Sequence, residues 1–124
     1  MHPVDSCGWL EYLADGPHAV FFAPALENIE ELIVPTPSMV EVIKRVLQQR
    51  GEDAALQAVA LMQQGKVIDP DSGTAVIAAK LSHEMKPPLA DAVTVATARI
   101  NNAVIWTQDA DLKDIAGVKF VKKR

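Results

Sequence analysis

A single cysteine, Cys7, stands in a chain of 124 residues, so no disulfide can form within it. A reducing, cytoplasmic setting is the expectation. No apolar run approaches the ~18 residues needed to cross a bilayer. The opening Met1-His2-Pro3-Val4-Asp5 lacks the basic-then-apolar pattern of a signal peptide, and no membrane association is expected. Internal repeats, low-complexity stretches and interdomain linkers are missing too, so one domain spanning 1–124 is expected. An excess of positive charge is also missing: sixteen acids face twelve bases, for a net charge of −4. That balance argues against a protein that coats nucleic acid nonspecifically. It does not argue against one that cleaves it. Five acids fall into one candidate site, and the eleven that remain nearly match the bases.

What is present is a chain with 49% hydrophobic residues, enough for a packed core. Short apolar runs at 3–4, 32–34, 67–68, 104–106 and 118–121 read as strands. Between them lie helical stretches: one capped by Asp5-Ser6 and stopped near Asp15-Gly16-Pro17, then 19–28, 38–50, 52–64, 73–84 and 89–101, and a short turn over 109–115. Pro24 falls inside the second, against the preference of a helix interior. Thr36-Pro37 is a good helix start, Gly51 is a break, and Pro87-Pro88 separates the last two long helices. The alternation predicts a three-layer α/β/α sandwich with a mainly parallel central sheet. The strand runs lack polar alternation, as expected of strands buried on both faces. The stretch Ala92-Val93-Thr94-Val95-Ala96-Thr97-Ala98 has almost no polar face and predicts a helix in the middle of the domain.

In an open parallel sheet, ligands bind at the carboxyl ends of the strands. Asp5 follows the first strand, Glu41 lies early in the helix after the second, and Asp109 and Asp111 follow the fourth. Asp91 opens the apolar helix, whose start is expected at the same edge. Each acid also has a plain explanation as a cap, a capping-box partner of Ser38, a dipole partner or a turn residue. Together they are harder to dismiss, because converging carboxylates raise one another's pKa unless a cation joins them. A hard divalent cation with oxygen ligands answers that need.

The segments Val4-Asp5-Ser6, Val40-Glu41-Val42, Leu89-Ala90-Asp91-Ala92 and Thr107-Gln108-Asp109-Ala110-Asp111-Leu112 resemble the four acidic motifs of the PIN domain, in order and in spacing. The compact length resembles the VapC-type toxins of toxin–antitoxin pairs. The resemblance implies a PIN-like fold and a Mg²⁺- or Mn²⁺-dependent endoribonuclease that hydrolyses RNA phosphodiester bonds. It also implies a homodimer silenced by a cognate antitoxin. Asp5, Glu41, Asp91 and Asp109 would be catalytic, and these four with Asp111 would hold metal. Either Asp109 or Asp111 can serve as the fourth acid; Asp109, directly off the strand end, is favoured. Ser6 and Thr107 would position substrate, the attacking water or a carboxylate through their hydroxyls. The last motif departs from a common Thr-Arg-Asn-x-x-Asp-Phe pattern by lacking its arginine and phenylalanine. Two alternatives stay open: a PIN-type nuclease of RNA maturation or decay, and a non-catalytic PIN-like protein-binding module.

Other residues read more plainly. Cys7 has no histidine beside it in sequence, which argues against a catalytic thiol. His2, His18 and His83 lack metal-ligand spacing and read as surface or turn residues. Trp9 and Trp106 read as packing, and Phe21, Phe22, Leu26 and Ile29 as core ahead of a partner surface. Lys122-Lys123-Arg124 reads as a solvated tail.

Overall fold

The computed structural model describes residues 1–87, 89–115 and 117–122. Pro88 of the expected helix break and Lys123-Arg124 of the basic terminus lie outside the described residues. The described strands are β1 (His2–Pro3), β2 (Leu32–Pro35), β3 (Lys66–Ile68), β4 (Ile105–Thr107) and β5 (Val118–Phe120). The helices are α1 (Ser6–Leu13), α2 (Ala19–Glu27), α3 (Thr36–Arg50), α4 (Glu52–Met62), α5 (Ser72–Met85) and α6 (Leu89–Ile100). A 3₁₀ turn covers Ala110–Leu112.

Every strand pairing is parallel. β2 lies between β1 and β3, and β4 pairs with β5. A single bridge, Val4 to Trp106, joins the two groups. The order across both is therefore β5-β4-β1-β2-β3, the parallel α/β arrangement expected from the alternation. β2 is buried along its length, with Leu32 and Val34 in one core and Ile33 pointing the other way. The expectation of burial on both faces fails at the two ends of this order. Lys66, Val67 and Lys119 are exposed, because β3 and β5 have a neighbour on one side only. A lysine on each discourages pairing with another chain.

Two cores flank the sheet. Helices α1 to α4 close the first around Val4, Trp9, Phe22, Leu32, Val34 and Met62. Helices α5 and α6 close the second with Ile105, Leu112 and Ile115. Within α6, residues Ala92, Thr94, Val95, Ala96, Thr97 and Ala98 are all buried, as the missing polar face predicted. Its threonines bury their hydroxyls without loss by donating one turn back, Thr94 to Ala90 O at 3.2 Å and Thr97 to Val93 O at 2.8 Å. Helix α2 keeps Pro24 in its interior. The proline lies on the exposed side, where solvent is at hand for the carbonyl its ring cannot serve.

Helix ends follow their local chemistry. Asp71 caps α5 by accepting from Thr74 N–H at 2.9 Å and from the Thr74 hydroxyl at 3.0 Å. Gly51, at φ +85°, ends α3 and starts α4, a conformation that favours glycine. Helix α3 begins at Thr36 behind Pro35, so Ser38 is not its cap and makes no capping box with Glu41. No described helix is long and apolar enough to cross a membrane.

Candidate metal centre

Asp5 stands where β1 passes into α1. Its backbone N–H donates to Trp106 O at 3.2 Å, which ties it to the end of β4. One carboxylate oxygen caps α1, accepting from Gly8 N–H at 2.9 Å, and the other accepts from the Thr107 hydroxyl. The plain explanation, an N-cap, is thus correct and also fixes the carboxylate in place. Gly8 is required here for space. A Cβ on it would sit 2.5 Å from Val4 Cγ1 and 2.7 Å from a Phe22 ring carbon. Burial pushes the Asp5 pKa up to about 6. The bonds from Thr107 and Gly8 oppose that, and the charges of Asp109 and Glu41 add to it.

Asp91 is the third residue of α6 and is nine-tenths buried. Burial first, then the charges of Asp5 and Asp109, a hydrogen bond with Asp109 and the charge of Glu41 push its pKa up to about 7. Asp109 is half-buried. It caps the 3₁₀ turn by accepting from Asp111 N–H at 2.9 Å, and its own N–H donates to Thr107 Oγ1 at 2.9 Å. Glu41 is exposed on α3, close enough for its charge to act on both Asp5 and Asp91. The charges of Asp5, Glu41, Asp91 and Asp109 thus act on one another, while among the described residues the ligand atoms grouped within 4.8 Å are those of Asp5, Cys7 and Asp109, without Asp91 or Glu41. Of the two acids after β4, it is Asp109 whose charge acts on Asp5 and Asp91. Asp111 is exposed and contributes its backbone N–H to Asp109.

Thr107 is fully buried and bridges Asp5 to the Asp109 backbone, so what it positions is a pair of carboxylates. Ser6 is buried at the start of α1.

Sequence reasoning missed several supports. The Ser38 and Thr94 hydroxyls meet at 3.2 Å in the interior. Ser38 lies one turn before Glu41 and Thr94 one turn after Asp91, so this contact sets α3 against α6. Gln108 is buried beside Asp109. Its amide donates to Glu11 at 3.1 Å and pairs with the His18 ring at 3.0 Å, while Glu11 also accepts the His18 N–H at 3.1 Å. The Cys7 sulfur and one oxygen from each of Asp5 and Asp109 all lie within 4.8 Å of one another. The only sequence signal for Cys7 was its place two residues after Asp5.

Asp5 and Asp91 are buried, and the charged groups that act on them are other carboxylates. Among the described residues no lysine or arginine forms an ion pair with the four acids. Hard oxygen donors short of positive charge suit a hard divalent cation. A cleft of about 550 Å³ lies elsewhere, between α1, α2, α3 and α4, with Leu13, Val20, Ala23 and Leu61 in its wall. Its lining mixes these with Asp15, Glu27, Gln49 and Arg50 and includes none of the four acids.

A family model described as PIN domain matches residues 4–118. No curated protein matches the chain. Among solved structures, a toxin–antitoxin complex from Klebsiella pneumoniae superposes at TM-score 0.79 with 20% identity, covering 96% of each chain. The Mycobacterium tuberculosis VapC20 toxin, described as cleaving the sarcin-ricin loop, superposes at 0.80 with 17% identity, covering 99% of this chain and 100% of its own. FitAcB from Neisseria gonorrhoeae superposes at 0.74 with 17% identity, covering 98% of this chain and 97% of its own. At these identities the likeness is one of fold.

Proposed function

The chain belongs to the PIN-domain family, and from that premise we propose that it is a Mg²⁺- or Mn²⁺-dependent endoribonuclease, the toxin of a VapBC-type toxin–antitoxin pair. One observation carries the reading: the convergence of Asp5, Asp91, Asp109 and Glu41 at a sheet edge, with the two buried acids raised in pKa. A protein-binding module has no use for buried carboxylates that repel one another. A nuclease does.

In this reading Asp5, Asp91, Asp109 and Glu41 hold the cation. When bound, it supplies Lewis acidity to the scissile phosphodiester and lowers the pKa of water at the site. The protein's share is placement. Gly8 and Thr107 fix both oxygens of Asp5, and Ser38 with Thr94 sets Glu41 against Asp91. The ionised oxygens of Asp91 and Asp109 are able to accept from an attacking water and align it. No protein nucleophile is invoked.

The solved neighbours include toxin–antitoxin complexes, which supports a cognate antitoxin as partner. A homodimer is part of the same proposal. The test is to incubate purified protein with structured and unstructured RNAs in Mn²⁺ or in EDTA and to map the cuts. Cleavage in Mn²⁺ that disappears in EDTA and in Asp91→Asn supports the reading. Equal activity in Asp91→Asn, with RNA cut as well in EDTA, sinks it.

A further inference from the structure

The chain's one cysteine lies in the first turn of α1, two residues past Asp5. Its sulfur and carboxylate oxygens of Asp5 and Asp109 fall within 4.8 Å of one another. Ligand atoms on one tetrahedral ion stand about 3.5 Å apart for bonds of the length zinc makes to sulfur and oxygen. The three atoms are therefore near enough for side-chain rotation to bring them onto one ion. A second observation points to a ligand at the same place. Asp91 is nine-tenths buried and forms no ion pair among the described residues, and the charges that act on it are those of the carboxylates of Asp5, Asp109 and Glu41.

We propose that Cys7 is a ligand of this cation site, giving it a mixed sulfur–carboxylate donor set that takes thiophilic divalent ions such as Zn²⁺ and Cd²⁺ in preference to Mg²⁺. This rests on the metal-site reading given under Proposed function and adds to it a donor of another kind. Carboxylate oxygens alone are hard donors suited to Mg²⁺ and Mn²⁺, whereas a thiolate strengthens binding of softer ions much more than of hard ones. Ligation exchanges the thiol proton for the metal: the S–H bond breaks, the proton passes to solvent, and a sulfur–metal bond forms with no change in oxidation state. Cys7 is half-buried at the start of α1.

Cadmium is the probe, because its bond to sulfur gives an ultraviolet charge-transfer band that carboxylates do not give. The reduced full chain is titrated with Cd²⁺ and, separately, with Mg²⁺ and Mn²⁺, reading absorbance and calorimetric heat. The wild-type chain is expected to develop the band to one equivalent. Cys7→Ser should abolish it and lower Cd²⁺ affinity at least about tenfold while leaving Mg²⁺ affinity within about twofold. Asp5→Asn, which keeps the helix cap, should shift the band to higher Cd²⁺ concentration. Saturable Cd²⁺ binding without the band overturns the proposal and leaves the carboxylate site standing. A band of unchanged strength and midpoint in Asp5→Asn also overturns it, since the sulfur would then bind without the carboxylates. Absence of binding by any of the three ions overturns both this proposal and the metal-site reading.

Discussion

At the scale of single residues, the two buried acids carry the clearest consequence. Asp5 is raised from 3.8 to about 6 and Asp91 from 3.8 to about 7, chiefly by burial. Between these limits the folded chain holds more protons than the unfolded one. The stability contributed by the two groups is therefore fully present below about pH 4 and is lost as pH rises through 6 to 7. Metal-free protein should unfold at lower denaturant concentration at pH 8 than at pH 5, and Asp91→Asn should flatten that dependence. Urea denaturation in EDTA at both pH values measures it. A wild-type slope with pH no different from that of Asp91→Asn would refute the expectation. The acids themselves were legible in the sequence, since strand ends and helix starts can be read from apolar runs and caps. The choice of Asp109 over Asp111 rested on adjacency to the strand, and it is Asp109 whose charge reaches the buried pair. Cys7, Ser38, Thr94 and Gln108 were not legible as site supports. Each depends on contacts between distant segments, which periodicity does not report.

At the scale of elements, α6 shows how composition can specify position. Its buried run of alanines and threonines lets the helix lie close against β1, β2, β4 and α5. The same closeness leaves no room for growth. Ala96 is fully buried, so Ala96→Leu should cost about 1–3 kcal/mol by overpacking, measured as a lowered midpoint of chemical denaturation. A neutral result would mean that the second core is looser than its burial indicates. Most of the elements could be read in advance, because each begins or ends on a residue with a strong local reason, such as Asp5, Pro37, Gly51 or Asp71. The helix expected over 19–28 forms as α2 with Pro24 inside it, because the proline faces outward. The failure lies at a sheet edge and has a long-range cause. The apolar Val67-Ile68 run did not predict an exposed strand, because sheet order, and hence which strand is an edge, is a property of long-range pairing.

At the scale of the whole molecule, the sheet is less continuous than its five-strand order implies. Strands β1 to β3 form one hydrogen-bonded group and β4 with β5 another. Among the described residues, the backbone hydrogen bonds between β4 and the β1 segment include Val104 N–H to Met1 O at 3.3 Å and Asp5 N–H to Trp106 O at 3.2 Å, at the Val4–Trp106 bridge. Asp5 belongs to one side of that seam, and Thr107 and Asp109 to the other. An ion gripped by acids from both sides would act as a clasp, resisting a local parting that need not unfold either half. The amide proton of Asp5 is the reporter. Its exchange with deuterated solvent should slow when Mn²⁺ is added, by more than that of Val34 inside β2; equal slowing at both amides would mean that the ion steadies the molecule evenly and clasps nothing.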